Sequence, residues 1–237
     1  MRIDLAETAS TNSAMDADAP HGTVVSAYSQ TAGRGQRGNS WESAPGLNAT
    51  FSVMLRPRNM RPDEQFAVSE AVALGVADVV ERYVGPDSVA VKWPNDVYVG
   101  NLKICGILIE NSIVGQELAS CVAGIGLNVN QERFVSDAPN PVSLFQLTGR
   151  RYDVGAIVDE VSEAILNRFS RCRELHNEYL GRLWRRSGLY LWEEPGGEPF
   201  EASIADVAMT GHLTLRLADG TLRRYSFKEV RPVGYKN

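Results

Sequence analysis

The 237-residue chain is 43% hydrophobic and 22% charged, a soluble-globular composition with ample core material, and its formal net charge of -5 (24 basic, 29 acidic side chains) argues against a general nucleic-acid binder, which must neutralise phosphates. Three scattered cysteines (Cys105, Cys121, Cys172) and three scattered histidines (His21, His176, His212), with no CxxC pair, argue against a disulfide framework and a structural zinc site. No apolar run is long enough to cross a bilayer, and Met1-Arg2-Ile3-Asp4 turns polar at once, so the expectation is a reduced, cytoplasmic protein.

In chain order, Ser10-Thr11-Asn12 precedes a predicted helix start at Met15 to Ala17. Thr23 to Tyr28 and Ala49 to Leu55 read as strands, separated by a polar, Gly-rich stretch from Gln30 to Ser43 that is too long for a hairpin turn. Arg61-Pro62-Asp63-Glu64 supplies a helix start, and Phe66 to Tyr83 carries a wide apolar face that ends at Gly85-Pro86. A meander follows: Val89 to Lys92, Val97 to Val99, Ile104 to Asn111 and Leu118 to Asn128. Asp153 is a predicted N-cap for a helical region running to about Trp184, with Ile157, Val161, Ile165 and Phe169 at helical spacing. Short strands close the chain at Ala202 to Val207, Leu213 to Leu217 and Leu222 to Phe227, the pattern of a small β-barrel.

Five segments carry chemistry. Gly33-Arg34-Gly35-Gln36-Arg37-Gly38, with Trp41 nearby, lets backbone N–H groups approach an anion and adds guanidinium charge. It is neither a Walker A loop nor a dinucleotide-binding fingerprint, and alone it reads equally as a surface loop. Lys92-Trp93-Pro94-Asn95-Asp96 puts a cation, an amide and a carboxylate in one corner, where the plain alternative is a Pro-Asn-Asp turn. Lys103 enters an apolar strand interrupted by Gly106, which suits a ligand anion or, equally, a snorkelling edge lysine. Gly124-Ile125-Gly126-Leu127-Asn128-Val129-Asn130 offers two amides able to read adenine, or a bulge with turn asparagines. Ser10-Thr11-Asn12 by itself reads as a helix cap.

Taken together and in order, STN, GRGxRG with W, KWPND, KxxGIL and GxGxN resemble the biotin–protein ligase family over roughly residues 8 to 130. The resemblance implies an α+β fold, a mixed β-sheet backed by helices in the manner of class II synthetases. That domain would cover residues 1–187, with an SH3-like β-barrel over 188–237. Ser10, Thr11, Asn12 and Gln30 would then hold the ureido head of biotin, and Gly33, Arg34, Gly35 and Gln36 would fold over it. Lys103 would sit at the biotin carboxylate and the α-phosphate, with Gly106 and Gly124 giving room. Arg37, Lys92, Asn95 and Asp96 would serve ATP, Asp96 facing magnesium, while Trp41, Asn128 and Asn130 would lie at the nucleotide. Lys103, Arg34 and Lys92 would be the catalytic cations.

The implied reaction is adenylation of biotin by ATP with magnesium, then transfer to a lysine of a biotin carboxyl carrier protein or domain. Positive charge must offset the repulsion between a carboxylate and an anionic phosphorus. Members of the family also come with an N-terminal DNA-binding winged helix. This chain starts almost at STN, so the expectation is a single-function ligase with no DNA and no membrane as partners, and homodimerisation is left open. The rivals are a lipoate–protein ligase, which shares the fold and the adenylation logic, and a nucleotide- or RNA-binding module using the Gly-Arg loop and Trp41. The Phe227 to Arg231 run reads as a strand with a solvated face in preference to a segment folded toward the nucleotide.

One position departs from the family: many members have a third arginine where this chain has Gln36. Fewer cations hold a reactive adenylate less firmly, so wild type is expected to release more diffusible biotinyl-adenylate than Gln36→Arg. Equal release from the two proteins would refute this.

Overall fold

The computed structural model describes residues 1–35, 40–135 and 140–234. Its larger sheet has seven strands: β1 (Arg2–Thr8), β2 (Val24–Gln30), β3 (Ala49–Leu55), β4 (Val89–Lys92), β5 (Asp96–Val99), β6 (Leu102–Val114) and β7 (Glu117–Leu127). Their order across the sheet is β1-β2-β3-β7-β6-β5-β4. Only β1 and β2 pair in parallel, so the sheet is mixed, and β4 to β7 form the predicted antiparallel meander. β1 (RIDLAET) was not foreseen: only Arg2, Leu5 and Thr8 are half-buried and the rest are exposed, so it lacks the apolar alternation that marks a strand.

One face of this sheet is covered by α2 (Phe66–Val84) and α4 (Val154–Phe169). Phe51, Val53, Ala123, Ile125 and Ile107 alternate toward those helices and join Val68, Val72, Val76, Val80, Ile157, Val161 and Ile165 in one apolar core. α2 is apolar nearly all round because it lies between the sheet and α4. Asp153 caps α4, its carboxylate accepting from the Ala156 N–H at 3.1 Å.

Several boundaries differ from expectation. The first helix, α1, is a single turn over Thr11–Ala14 that ends at Met15, where the sequence had suggested a start. Ser10 occupies the N-cap position without a side-chain cap bond. A short helix, α3 (Leu144–Thr148), is capped by Ser143 and was not foreseen. The long helical region to Trp184 breaks after Phe169 into a 3-10 turn (Cys172–Glu174) and α5 (His176–Gly181). The segment beyond α5 instead closes the sheet edge: Val91 N–H donates to the Arg182 carbonyl and Trp184 N–H to the Val91 carbonyl, both at 2.8 Å.

The second sheet is antiparallel, with strands β8 (Tyr190–Glu193), β9 (Phe200–Val207), β10 (Leu213–Leu217), β11 (Leu222–Tyr225) and β12 (Arg231–Pro232) in the order β11-β10-β9-β8-β12. The Phe227 to Arg231 run is not a strand over its length: Ser226 to Glu229 turn, and Phe227 meets Trp93 edge-on with ring centroids 6.0 Å apart. That corrects the solvated-strand reading, because an aromatic side chain gains more by packing on the buried Trp93 indole than by facing water. No helix among the described residues is long and apolar enough to cross a membrane.

The two sheets meet where Gly211 faces the start of α2. The Trp93 indole N–H donates to the Gly211 carbonyl at 2.9 Å, and the Phe66 N–H to the Met209 carbonyl at 3.3 Å. Gly211 has φ +86, and a Cβ there would come 2.9 Å from Phe66 Cδ2. Gly211→Ala should therefore destabilise by about 1–3 kcal/mol. Thermal denaturation would show a lowered midpoint, and an unchanged one would contradict this account of the contact.

Candidate active site

The sheet face opposite the helices carries the predicted site. In antiparallel pairing, directly opposed residues share a face. Register aligns Lys92 with Asp96, Asp96 with Gly106, Gly106 with Gly126, and Gly126 with Thr50. One row across five strands thus runs from a cation through a carboxylate to two glycines and a hydroxyl. The next row on that face sets Leu108 opposite Gly124 and Gly124 opposite Ser52.

Lys103 joins this face through an irregularity. Lys103 and Gly106 are an odd number of residues apart, so a regular strand would point them to opposite faces. Register instead shifts between Val97 and Tyr98: Val97 opposes Cys105 while Tyr98 opposes Lys103, leaving Ile104 as the extra residue. The bulge returns Lys103 to the side of Asp96 and Tyr98. Its Nζ lies 2.7 Å from Asp96 Oδ1 and 5.7 Å from the Trp41 ring centroid.

Lys92 completes the corner. Its side chain is almost fully buried, with Nζ 4.0 Å from Asp96 Oδ2 and 5.7 Å from the Tyr98 ring centroid. Burial holds its ammonium below the ordinary lysine value; Asp96 pulls it back up, and Lys103 and Arg185 add repulsion. A corner with two ammonium groups around one carboxylate keeps a cationic surplus, which suits a polyphosphate.

Glycines make the shelf beside it. Trp41 lies across Gly106 and Gly126: a Cβ would come 2.9 Å from its Cζ3 at the first and 2.3 Å from its Cε2 at the second. A side chain at either position would lift the indole off the sheet. The Gly-Arg loop closes at its base, where the Trp41 N–H donates to the Gly33 carbonyl at 3.0 Å and Arg34 bridges to Ser40. Gly35 is the last described residue on this side of the loop; Gln36 and Arg37 lie outside the described residues.

At the far end, STN sits over β3 and β7. Asn12 Oδ1 occupies the space a Cβ on Gly124 would need, at 2.3 Å. Thr11 N–H donates to Gln30 Oε1 at 2.8 Å, and Ser10, Thr11 and Asn12 are all buried. Two unforeseen residues tie this end together: Ser52, 2.6 Å from Asn12 Oδ1, and Glu110, whose Oε2 accepts from Asn12 Nδ2 at 2.7 Å and from Arg34 at 3.1 Å. Their signal was there: Ser52 interrupts the apolar run ATFSVML, and Glu110 ends the apolar run of β6.

The remaining candidates divide. Asn128 is 2% exposed; its amide N–H₂ donates to the Val142 carbonyl at 3.0 Å, and its Oδ1 is buried without a partner among the described residues. The Trp41 indole N–H is likewise buried and unpartnered among them. Asn130, read from the sequence as a nucleotide residue, is bonded to the backbone in this structure. Its carboxamide holds both backbone groups of Tyr152, at 2.8 and 2.9 Å, which makes it a loop anchor. Asn95 donates to the Ile107 carbonyl at 2.6 Å and so pins the KWPND corner to β6.

Asp96, read from the sequence as facing magnesium, is engaged by lysines in this structure. Lys103 engages one of its oxygens at 2.7 Å and Lys92 stands 4.0 Å from the other, so a divalent cation would bind Asp96 only after Lys103 turned to another anion.

Comparison with known proteins identifies the family and the fold. The model of the Biotin/lipoate A/B protein ligase family matches residues 2–128. The bifunctional ligase/repressor BirA of Bacillus subtilis (strain 168) is 34% identical over 150 residues, 61% of this chain and 45% of that protein, so the chain spans about half the length of that curated relative. The biotin–[acetyl-CoA-carboxylase] ligase of Mycobacterium tuberculosis (strain ATCC 25618 / H37Rv) is 30% identical over 229 residues, 92% of this chain and 84% of that one. A biotin protein ligase from Aquifex aeolicus, solved in complex with biotin and ATP, shares the fold with a TM-score of 0.79 at 22% identity, over 98% of each chain. With more than half its length inside the family's domain, and STN, KWPND and KxxGIL meeting on one sheet face, this chain belongs to the biotin/lipoate A/B protein ligase family.

Proposed function

We propose that the chain is a biotin–protein ligase: it adenylates biotin with ATP and transfers the biotinyl group to a lysine of a biotin carboxyl carrier protein or domain. The observation that carries this reading is the bulge that brings Lys103 onto the face of Asp96, Lys92 and the glycine shelf, with the polar STN end beside it. A ligand spanning that face would have an uncharged polar head at Thr11, Asn12 and Gln30 and a carboxylate at Lys103. The name of the Mycobacterium relative supports the carboxylase carrier. In this reading residues 1–187 form the catalytic unit and 188–237 the small β unit.

Each group then has a task. Lys103 exchanges its partner Asp96 for the reacting carboxylate and α-phosphate, and Lys92 remains in the corner as a fixed cation. Both offset the charge that builds as a carboxylate oxygen attacks phosphorus and pyrophosphate leaves. Trp41 covers one face of the adenine, and Asn128 Oδ1, buried and unpartnered among the described residues, accepts from its amino group. Magnesium, when bound, would offset the charge of the triphosphate. Arg34 turns from Glu110 to the ligand and helps exclude water from the mixed anhydride. A deprotonated carrier lysine then attacks the acyl carbon and AMP leaves.

ATP–pyrophosphate exchange tests this directly. Exchange should require biotin, not lipoate, and fall at least about 10²-fold in Lys103→Ala. Exchange with lipoate alone would make the chain a lipoate ligase, and exchange with neither acid would overturn adenylation.

Lys92→Met separates function from stability. Its folded pKa lies below the ordinary 10.5, so below the folded value the protein bears the cost of a buried cation. That cost is relieved as pH rises from the folded value toward 10.5, because the unfolded chain binds more protons in that window. Lys92→Met should lose exchange about 10²-fold or more while its melting point is held or raised. Any stability advantage should shrink as pH climbs through the same window. A large drop in melting point would make Lys92 structural.

A further inference from the structure

We infer that Ser52 and Glu110 are positioning residues that fix the hydrogen-bond direction of the head-group end, so that it selects ligands bearing N–H groups. This deepens the biotin reading and rests on it. Direction follows from what each group is able to donate. A carboxylate only accepts, so the 2.7 Å contact from Glu110 Oε2 must meet the amide N–H₂ of Asn12. The Leu108 carbonyl, 3.3 Å from the same nitrogen, demands the same orientation.

Asn12 Oδ1 consequently faces Ser52 Oγ at 2.6 Å, and since an amide oxygen only accepts, the single Ser52 proton is committed there. The 2.7 Å contact between Ser52 Oγ and Thr11 Oγ1 must then carry the proton of Thr11. Thr11 is left with lone pairs alone for anything that enters the site. Ser52 is 0%, Thr11 4% and Asn12 7% exposed, so water has little access to reverse the chain.

Two neighbours are set in the same way. Thr50, on the same sheet face, donates its hydroxyl proton to the Ala27 carbonyl at 2.9 Å. Gln30 receives the Thr11 N–H on its Oε1 at 2.8 Å, which leaves its N–H₂ to donate. The hydroxyls accept and the amide donates, the complement of a cyclic urea with its N–H donors and one carbonyl acceptor. An oxygen in place of a urea N–H would put lone pairs against lone pairs.

The test pairs protein variants with ligand variants, using biotin and the two cyclic carbamates in which one or the other ureido N–H is replaced by ring oxygen. Biotin-dependent pyrophosphate exchange gives KM for each. Wild type should disfavour at least one carbamate by about 10²-fold or more. In Ser52→Ala the Thr11 proton is free to turn into the site, so KM for that carbamate should fall while KM for biotin rises, compressing the ratio about tenfold. Glu110→Gln, half-exposed and isosteric, removes the acceptor-only end and should compress it less; it decides the matter should Ser52→Ala fail to fold. A purely structural role would move both ligands together. Biotin-dependent exchange in wild type with unchanged ratios in the folded variants would overturn the chain of direction alone. Absence of biotin-dependent exchange in wild type would overturn the ligase reading and this inference with it.

Discussion

Two ammonium groups share one carboxylate on the sheet, and the rest of the site is arranged around that unequal pairing. A buried lysine is tolerated only where an anion offsets its desolvation. Asp96 supplies one charge to Lys103 at 2.7 Å and to Lys92 at 4.0 Å, so among the described residues this trio holds more positive than negative charge. The excess disfavours the empty protein and favours an anionic ligand. Such a site exchanges stability for electrostatic preorganisation, with its cations already desolvated and fixed before substrate arrives.

The sheet makes this arrangement rigid. Its helix-facing side is an apolar core in which Phe51, Ile125 and Ile107 alternate with the residues of the opposite face. A one-residue slip in register would bury Lys92 and Asp96 under α2 and expose the core, so packing on one side holds the chemistry on the other. The Ile104 bulge is a local exception beside the site, and it adds Lys103 to the row. At the other end the polar groups around Thr11 and Asn12 are held by hydrogen bonds whose directions are mutually dictated. The two ends thus differ in what they offer a ligand, net charge at the lysine corner and bond direction at STN.

Much of this was legible in the chain. Short apolar, β-branched runs bounded by turn residues gave β3 and the β4 to β7 meander, and the wide apolar face of residues 66–83 gave α2, because burial selects such residues locally. The break between α4 and α5 was not legible, since Leu175 and Tyr179 continue the helical spacing of buried positions although the backbone turns. Nor was the role of Asn130, whose amide looks the same whether it faces a ligand or the backbone of Tyr152, 22 residues away.

By itself, then, the sequence determined the strands and helices that a repeating hydrophobic pattern enforces, and the short polar segments whose order marks the family. Tertiary structure alone decided which face each polar residue takes and which partner it finds. Lys103 reaches Asp96 only through a bulge, and Asn12 meets Glu110 98 positions along the chain. Trp41 has its place because Gly106 and Gly126 are brought into register on adjoining strands. The physical reason is that pattern reports burial, a property each residue has in its own strand or helix. Pairing register, hydrogen-bond direction and shared charge belong to residues that become neighbours only after the sheet has formed.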